Sequence, residues 1–228
     1  MLLIFDCDGV LVDSEVVVAP VVAGLFAAHG AVLSADEVLE RYTGMANAEM
    51  TRQVEREFGM AFPDGFLDVL ERAELDALER DLRPVPGMDA LLGGVGGLGG
   101  VGGLGGAGGV AMCVASSSAP ERIRLSLDVT ELAGYFGHNV FSAAEVARPK
   151  PAPDLFLRAA AAMGAVPTEC MVVEDSVFGV AAGVAAGMRV IGFTAASHGG
   201  PAADVMLLGA GAESVASDAE ELAILLGR

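Results

Sequence analysis

The sequence predicts an α/β protein in which a parallel sheet carries helices on both faces and a block of helices is inserted after the first strand. Three observations predict it. The chain opens on a four-residue apolar run, Leu2-Leu3-Ile4-Phe5, that at once meets acids and a glycine in Asp6-Cys7-Asp8-Gly9, the pattern of a short buried strand ending in a tight turn. No strand-like run interrupts Ser14 to Leu82. Beyond Gly87, short β-rich runs and helical stretches alternate, as they do in a parallel sheet built from strand and helix in turn.

Taken in order, Ser14 to His29 passes through small and apolar residues to Gly30 and suits a helix with a glycine stop. Further helices are expected over Ser34 to Arg41, Ala46 to Phe58 and Pro63 to Asp81. The prolines and glycine of Arg83-Pro84-Val85-Pro86-Gly87 read as a linker that closes the block. Val110 to Ser116 is a strand ending in serines, with a helix opening near Pro120. Asn139 to Ser142 is a short strand and Pro153 to Met163 a helix. Cys170 to Val173 is a second buried strand that meets acids, and Val177 to Ala186 is a helix closed by Gly187. Met188 to Phe193 and Glu213 to Ala216 are strands, and Asp218 to Leu226 is the last helix. The core is therefore expected from residues 1–14 and 85–228, with 15–84 as the helical insert.

Residues 93–109 are a Gly-Gly-Xaa tract. It contains Gly94-Val95-Gly96-Gly97-Leu98-Gly99, a formal dinucleotide fingerprint. That match carries nothing, because the composition generates it by chance and no strand precedes it. Glycine costs about 1 kcal/mol per residue inside a helix, so a flexible connection is expected here rather than a long helix.

With 228 residues the chain can bury a sizeable core. No apolar run reaches the roughly 20 residues that span a bilayer, and the apolar start meets Asp6 without a basic leader, so a cytoplasmic protein without a signal peptide or membrane segment is expected. A net charge of -18 argues against a nucleic-acid partner. Cys7, Cys113 and Cys170 each lie in or beside an apolar run and read as buried thiols. Of the 13 basic residues 12 are arginines, and Lys150 is the one lysine.

Four motifs fall at predicted strand ends, where an open parallel sheet places its ligand. Asp6 and Asp8 follow the first strand, two residues apart and so on one face, and their like charges are tolerable where a cation is shared or one acid is protonated. Ser116 ends Val114-Ala115-Ser116 and is followed by Ser117 and Ser118. Lys150 lies in Arg148-Pro149-Lys150-Pro151, and Glu174-Asp175-Ser176 closes Met171-Val172-Val173. Asp6, Asp8, Glu174 and Asp175 are hard oxygen donors suited to Mg²⁺, an ion that commonly shares its shell with phosphate. A hydroxyl and an ammonium remain to bind an anion. One carboxylate facing a phosphoryl group can attack it, and a second can supply and recover the proton. Each motif alone has a plainer reading: Asp8-Gly9 as a turn, Ser116 as a helix cap, Lys150 as solvated surface, Glu174-Asp175 as a helix N-terminus. Their joint order at strand ends favours chemistry.

In DCDGVLVDSE, VASSS, RPKPAPDLF and VVEDSVFGVAAGVAAGM the chain resembles the haloacid dehalogenase superfamily, in the branch with a helical cap, and within it the β-phosphoglucomutase-like and 6-phosphogluconate phosphatase-like sugar phosphatases. The resemblance covers nearly the whole chain, leaving out the glycine tract. It implies a Rossmann-like, doubly wound core with the strand of Asp6 at its centre and residues 15–84 as a cap domain. It implies Asp6 as the nucleophile that becomes phosphorylated, and Asp8 as general acid/base that also lends Mg²⁺ its backbone carbonyl. Ser116, Ser117 and Lys150 would hold the phosphoryl group, with Glu174 and Asp175 completing the metal site.

Departures narrow the reaction. Dehalogenases of the family lack an aspartate at the place of Asp8, and phosphonate-cleaving members need a cap lysine that a chain with Lys150 alone does not have. The mutases carry a histidine after the first motif and basic residues in the cap loop. Here those stretches read Glu15-Val16-Val17-Val18 and Tyr42-Thr43-Gly44-Met45-Ala46-Asn47. A Mg²⁺-dependent phosphatase acting on a small phosphorylated metabolite, a sugar or sugar-acid phosphate, is therefore expected ahead of a sugar phosphomutase or a non-catalytic phosphate-binding protein. A monomer or weak homodimer is expected. Thr43, Gly44 and Asn47 are the cap-side candidates for substrate contact. Ala195 to Gly200, with His198, is a loop that either borders the site or is plain solvated loop.

Overall fold

A computed structural model describes residues 1–96, 110–196 and 202–227. It contains a sheet of six strands, β1 (Leu2–Phe5), β2 (Ala111–Ser116), β3 (Val140–Ser142), β4 (Cys170–Glu174), β5 (Arg189–Phe193) and β6 (Ser214–Ala216), in the order β3-β2-β1-β4-β5-β6. Every pairing is parallel, and β1 is central, with Phe5 in register with Val114 on one side and Val173 on the other. All of β1 and β4 is buried. That explains why both read as unbroken apolar runs rather than alternating ones. The doubly wound α/β fold class expected from the alternation is borne out.

The chain divides into two compact units, 14–82 and the remainder. The first holds helices α1 (Glu15–Ala28), α2 (Ala35–Tyr42), α3 (Asn47–Phe58) and α4 (Phe66–Asp81). Ser34 caps α2 in a reciprocal box with Glu37, and Gly59 ends α3 at φ 63, a left-handed angle that favours glycine. Ala19, Val22 and Phe26 of α1 pack with Val38, Val54, Phe66 and Leu70 in this unit's own core. Phe62 stacks on Phe66 at 4.0 Å between ring centroids.

The sheet unit adds α5 (Met88–Gly96), α6 (Pro120–Val129), α7 (Ala133–Phe136), α8 (Asp154–Ala162), α9 (Val177–Ala185), α10 (Ala203–Ala210) and α11 (Ala219–Leu225). The stretch 83–87, expected as a plain linker, is paired: Val85 donates to the Leu11 carbonyl at 2.9 Å and Pro84 bridges Val12. A helix also extends into the first residues of the glycine tract. Met88, Leu91, Leu92 and Val95 recur at helical spacing and are all buried, and burial at roughly 25 cal/mol per Å² outweighs the cost of the intervening glycines. The rest of the expected flexible tract, 97–109, and the loop residues 197–200 with His198 lie outside the described residues. Helix α10 was not legible as such: it is apolar nearly all round, and Leu207 alone among its residues is buried, close against the bare backbone of Gly192. The three cysteines are free and buried, as expected. Among the described residues no helix is long and apolar enough to cross a membrane.

Candidate active site

The predicted motifs converge at the carboxyl ends of β1, β2 and β4, beside the point where chain order reverses between β1 and β4. Open parallel sheets leave a crevice there. Asp6 directly follows β1, and its backbone N–H donates to the Val173 carbonyl at 3.0 Å, extending the β1–β4 ladder by one residue. The chain then turns sharply. Gly9 stands at φ 78 and donates to the Val12 carbonyl at 2.8 Å.

Lys150 is the hub of the site. Its side chain is only 4% exposed and its ammonium donates to Asp6 Oδ1 at 2.7 Å, Glu174 Oε1 at 2.6 Å and the Ala115 carbonyl at 3.1 Å. An ammonium has three donors, so the three acceptors use them all. The surface reading of this lysine is thereby excluded. Burial by itself would push the Lys150 ammonium down, but Asp6 and Glu174 outweigh burial and hold it well above the usual lysine range. Asp6 moves the other way. Burial raises its carboxyl, Lys150 lowers it, and Glu174 and Asp175 raise it again, so that it lies well above the usual carboxylate range.

Asp6, Glu174 and Asp175 each offer a carboxylate oxygen, and these oxygens lie within 4.8 Å of one another. Three clustered carboxylates, two of them sharing the Lys150 ammonium, concentrate negative charge in a largely buried place. A hard divalent cation fits that donor set.

Glu174 is fixed on its other oxygen by the backbone N–H and hydroxyl of Ser176 at 2.8 and 2.9 Å, and Ser176 in turn caps α9 by accepting from Gly179 N. Gly179 is indispensable for space. A Cβ there would stand 1.7 Å from Glu174 Oε1. Gly179→Ala is therefore expected to expel the Glu174 carboxylate from its place. It should weaken divalent-cation binding about tenfold or more and cost about 1–3 kcal/mol of stability, read by cation titration and denaturant unfolding of the variant.

Asp8 does not join the carboxylate cluster. Its Oδ2 accepts from the Ser118 hydroxyl at 2.6 Å and its Oδ1 lies 3.5 Å from the Arg122 guanidinium. The repulsion expected between Asp6 and Asp8 is thus relieved by separate cations, Lys150 for one and Arg122 for the other. Ser116, 1% exposed at the end of β2, accepts from Ser118 N at 3.1 Å and does not cap α6, whose N-cap is Ala119. Ser117 is exposed.

In the helical unit Thr43 donates its hydroxyl to the Leu39 carbonyl at 2.6 Å and Gly44 turns at φ 75. Asn47 donates its side-chain amide to the buried Glu74 at 2.8 Å. Two of these three candidates are therefore engaged within their own unit.

Sequence reasoning missed Ser118, Arg122, Ser176 and Gly179. Ser118 was visible only as the third of three serines, Arg122 only as a helical arginine, and Gly179 only as one glycine among many.

A family model described as a haloacid dehalogenase-like hydrolase matches residues 1–187. The chain is 32% identical over 198 residues to 6-phosphogluconate phosphatase of Escherichia coli, covering 86% of this chain and 84% of that protein. It is 35% identical over 194 residues to hexitol phosphatase A of the same organism, covering 84% and 82%. The crystal structure of a hydrolase of the same family from Deinococcus radiodurans, with bound phosphate and sodium, superposes with a TM-score of 0.82 at 31% identity, covering 99% of this chain and 94% of that one.

Proposed function

The chain belongs to the haloacid dehalogenase-like hydrolases, and from that premise we propose that it is a Mg²⁺-dependent phosphatase that hydrolyses a sugar or sugar-acid phosphate through phosphorylation of Asp6. The observation that carries this reading is the constellation of buried Asp6, Lys150 and Glu174 and half-buried Asp175, with Asp8 two residues from Asp6. The likeness to two sugar-phosphate phosphatases at 32% and 35% identity supports the substrate class.

Asp6, Glu174 and Asp175 would hold the Mg²⁺ through carboxylate oxygens, with Asp8 contributing its backbone carbonyl because its carboxylate is engaged elsewhere. When bound, the ion supplies positive charge that offsets the crowding of anionic groups and polarises the phosphoryl oxygens. Asp6 attacks phosphorus through a carboxylate oxygen, the bond from phosphorus to the ester oxygen breaks, and the leaving oxygen takes the proton of the Asp8 carboxyl. Water then attacks the phosphorus of phospho-Asp6 and gives its proton to Asp8. The Asp6 carboxylate is released together with inorganic phosphate. Lys150, with its N–H bonds directed at Asp6, Glu174 and Ala115, orients the nucleophile and places a positive charge beside the reacting group. Ser116 and Ser117 would line the phosphoryl site from the end of β2. Residues 15–84, with Thr43, Gly44 and Asn47, would act as the cap that selects substrate.

Phosphate release from a panel of hexose, hexitol and sugar-acid phosphates, with Mg²⁺ and with chelator, tests the reading. Release that depends on Mg²⁺ is expected, and interconversion of a sugar 1-phosphate and 6-phosphate without net release would instead identify a mutase. Burial raises the Asp6 carboxyl, so as pH falls through its raised value protons compete with Mg²⁺ for the same oxygens. Affinity for Mg²⁺ is therefore expected to weaken as pH falls through the raised Asp6 value, by up to about tenfold per pH unit for one displaced proton, measured by calorimetry in buffers of differing ionisation enthalpy.

A further inference from the structure

The loop that follows β2 contains more than the phosphate-side serine expected of it. Ser118 lies 110 residues from Asp8 in sequence, yet its hydroxyl donates to Asp8 Oδ2 at 2.6 Å, while the Arg122 guanidinium stands 3.5 Å from Oδ1. Both oxygens of one carboxylate are thus addressed from one short segment. That segment is itself held on both sides. Ser118 N donates to Ser116 Oγ at 3.1 Å, and the Ser118 carbonyl accepts from the Ser142 hydroxyl at 2.7 Å. Ser116 and Ser142 are both 1% exposed and end the neighbouring strands β2 and β3. The sheet edge therefore determines where the Ser118 hydroxyl points.

Arg122 adds a second argument. It lies in the first turn of α6, after Pro120 and Glu121, where the helix dipole disfavours a cation. Its side chain is 21% exposed, so it is not simply reaching into water. A carboxylate opposite it offsets that unfavourable position, and the carboxylate is Asp8.

We propose that Ser118 and Arg122 are positioning residues for Asp8, fixing the orientation in which its carboxyl exchanges a proton with the leaving oxygen and then with water. The inference rests on the phosphatase reading above. It explains the choice of a hydroxyl: serine donates to a carboxylate and accepts from a carboxylic acid, so the contact survives both protonation states that the two half-reactions require. Neither residue need touch the substrate. Each acts through Asp8, and its loss should look like a weakened general acid.

The discriminating measurement is the dependence of kcat/KM on the leaving group, since this ratio reports the steps up to the first irreversible phosphoryl transfer. Phenyl phosphate has a poor leaving group that needs the proton, and p-nitrophenyl phosphate has a good one that needs it little. In Ser118→Ala and Arg122→Met, kcat/KM for phenyl phosphate should fall at least about tenfold further than for p-nitrophenyl phosphate, within the roughly 10²–10⁴-fold range of general acid catalysis. Arg122→Lys should recover most of the loss. In an Asp8→Asn background either substitution should cost less than about twofold more, because the group being positioned is already gone. Equal losses for the two esters, or full additivity with Asp8→Asn, would overturn the proposal while leaving the phosphatase reading intact. A parent enzyme that releases phosphate from neither ester overturns the reading on which the proposal rests.

Discussion

Asp6→Asn is expected to abolish phosphate release, by about 10⁴-fold or more, while leaving a folded protein. The amide oxygen that replaces the carboxylate cannot form the acyl phosphate, and two nearby carboxylates are already committed: Glu174 is bound on both oxygens, to Lys150 and to Ser176, and Asp8 is held by Ser118 and Arg122. Folding should survive, because Lys150 keeps Glu174 and the Ala115 carbonyl as partners. One of three crowded carboxylates is removed, and with it the repulsion that helps raise the Asp6 carboxyl. Acid-quenched turnover should trap a phosphoenzyme in the parent and none in the variant, and their unfolding midpoints should lie close together. Retained turnover in Asp6→Asn would reassign the nucleophile.

Lys150→Met is expected to have the largest effect on stability. Removing the ammonium takes from Asp6 and Glu174 the buried cation they share, with the Asp175 carboxylate close by, and breaking such a buried pair costs about 3–5 kcal/mol. Methionine fills much of the space but cannot replace the cation–π contact of the ammonium, which lies 4.9 Å from the Phe156 ring centroid. The loss is therefore electrostatic. Millimolar Mg²⁺ should restore part of it by supplying charge to the same oxygens, whereas Mg²⁺ should leave turnover about 10²–10³-fold below the parent. Urea unfolding with and without Mg²⁺ measures both. A loss of less than about 1 kcal/mol without ions would mean that the carboxylates are neutralised in another way.

Much of this was legible in the chain because the signals are local. Leu2 to Phe5 and Cys170 to Val173 are apolar runs that stop at acids, and a parallel sheet with covered faces needs such runs. Helices Glu15–Ala28 and Asn47–Phe58 end at glycines, Gly30 and Gly59, with positive φ. By contrast Ala203–Ala210 has no apolar stripe to set it apart, and its one buried contact, Leu207 on Gly192, belongs to another element. The helix Met88–Gly96 was masked by its glycines, although its buried positions follow the helical period.

The order of residues along the chain is enough for the fold class, the family, and which residues stand at the ends of β1, β2 and β4, because strand ends follow from where apolar runs stop. It did not determine what those residues do with their side chains. Asp6 and Asp8 look alike in the chain, a matched pair on one strand face. Only the tertiary structure separates them, sending Asp6 to a lysine 144 residues away and Asp8 to a serine 110 residues away. The physical reason is that a carboxylate's environment is set by whichever donors the packed sheet brings within hydrogen-bonding distance, and that distance bears no relation to separation along the chain.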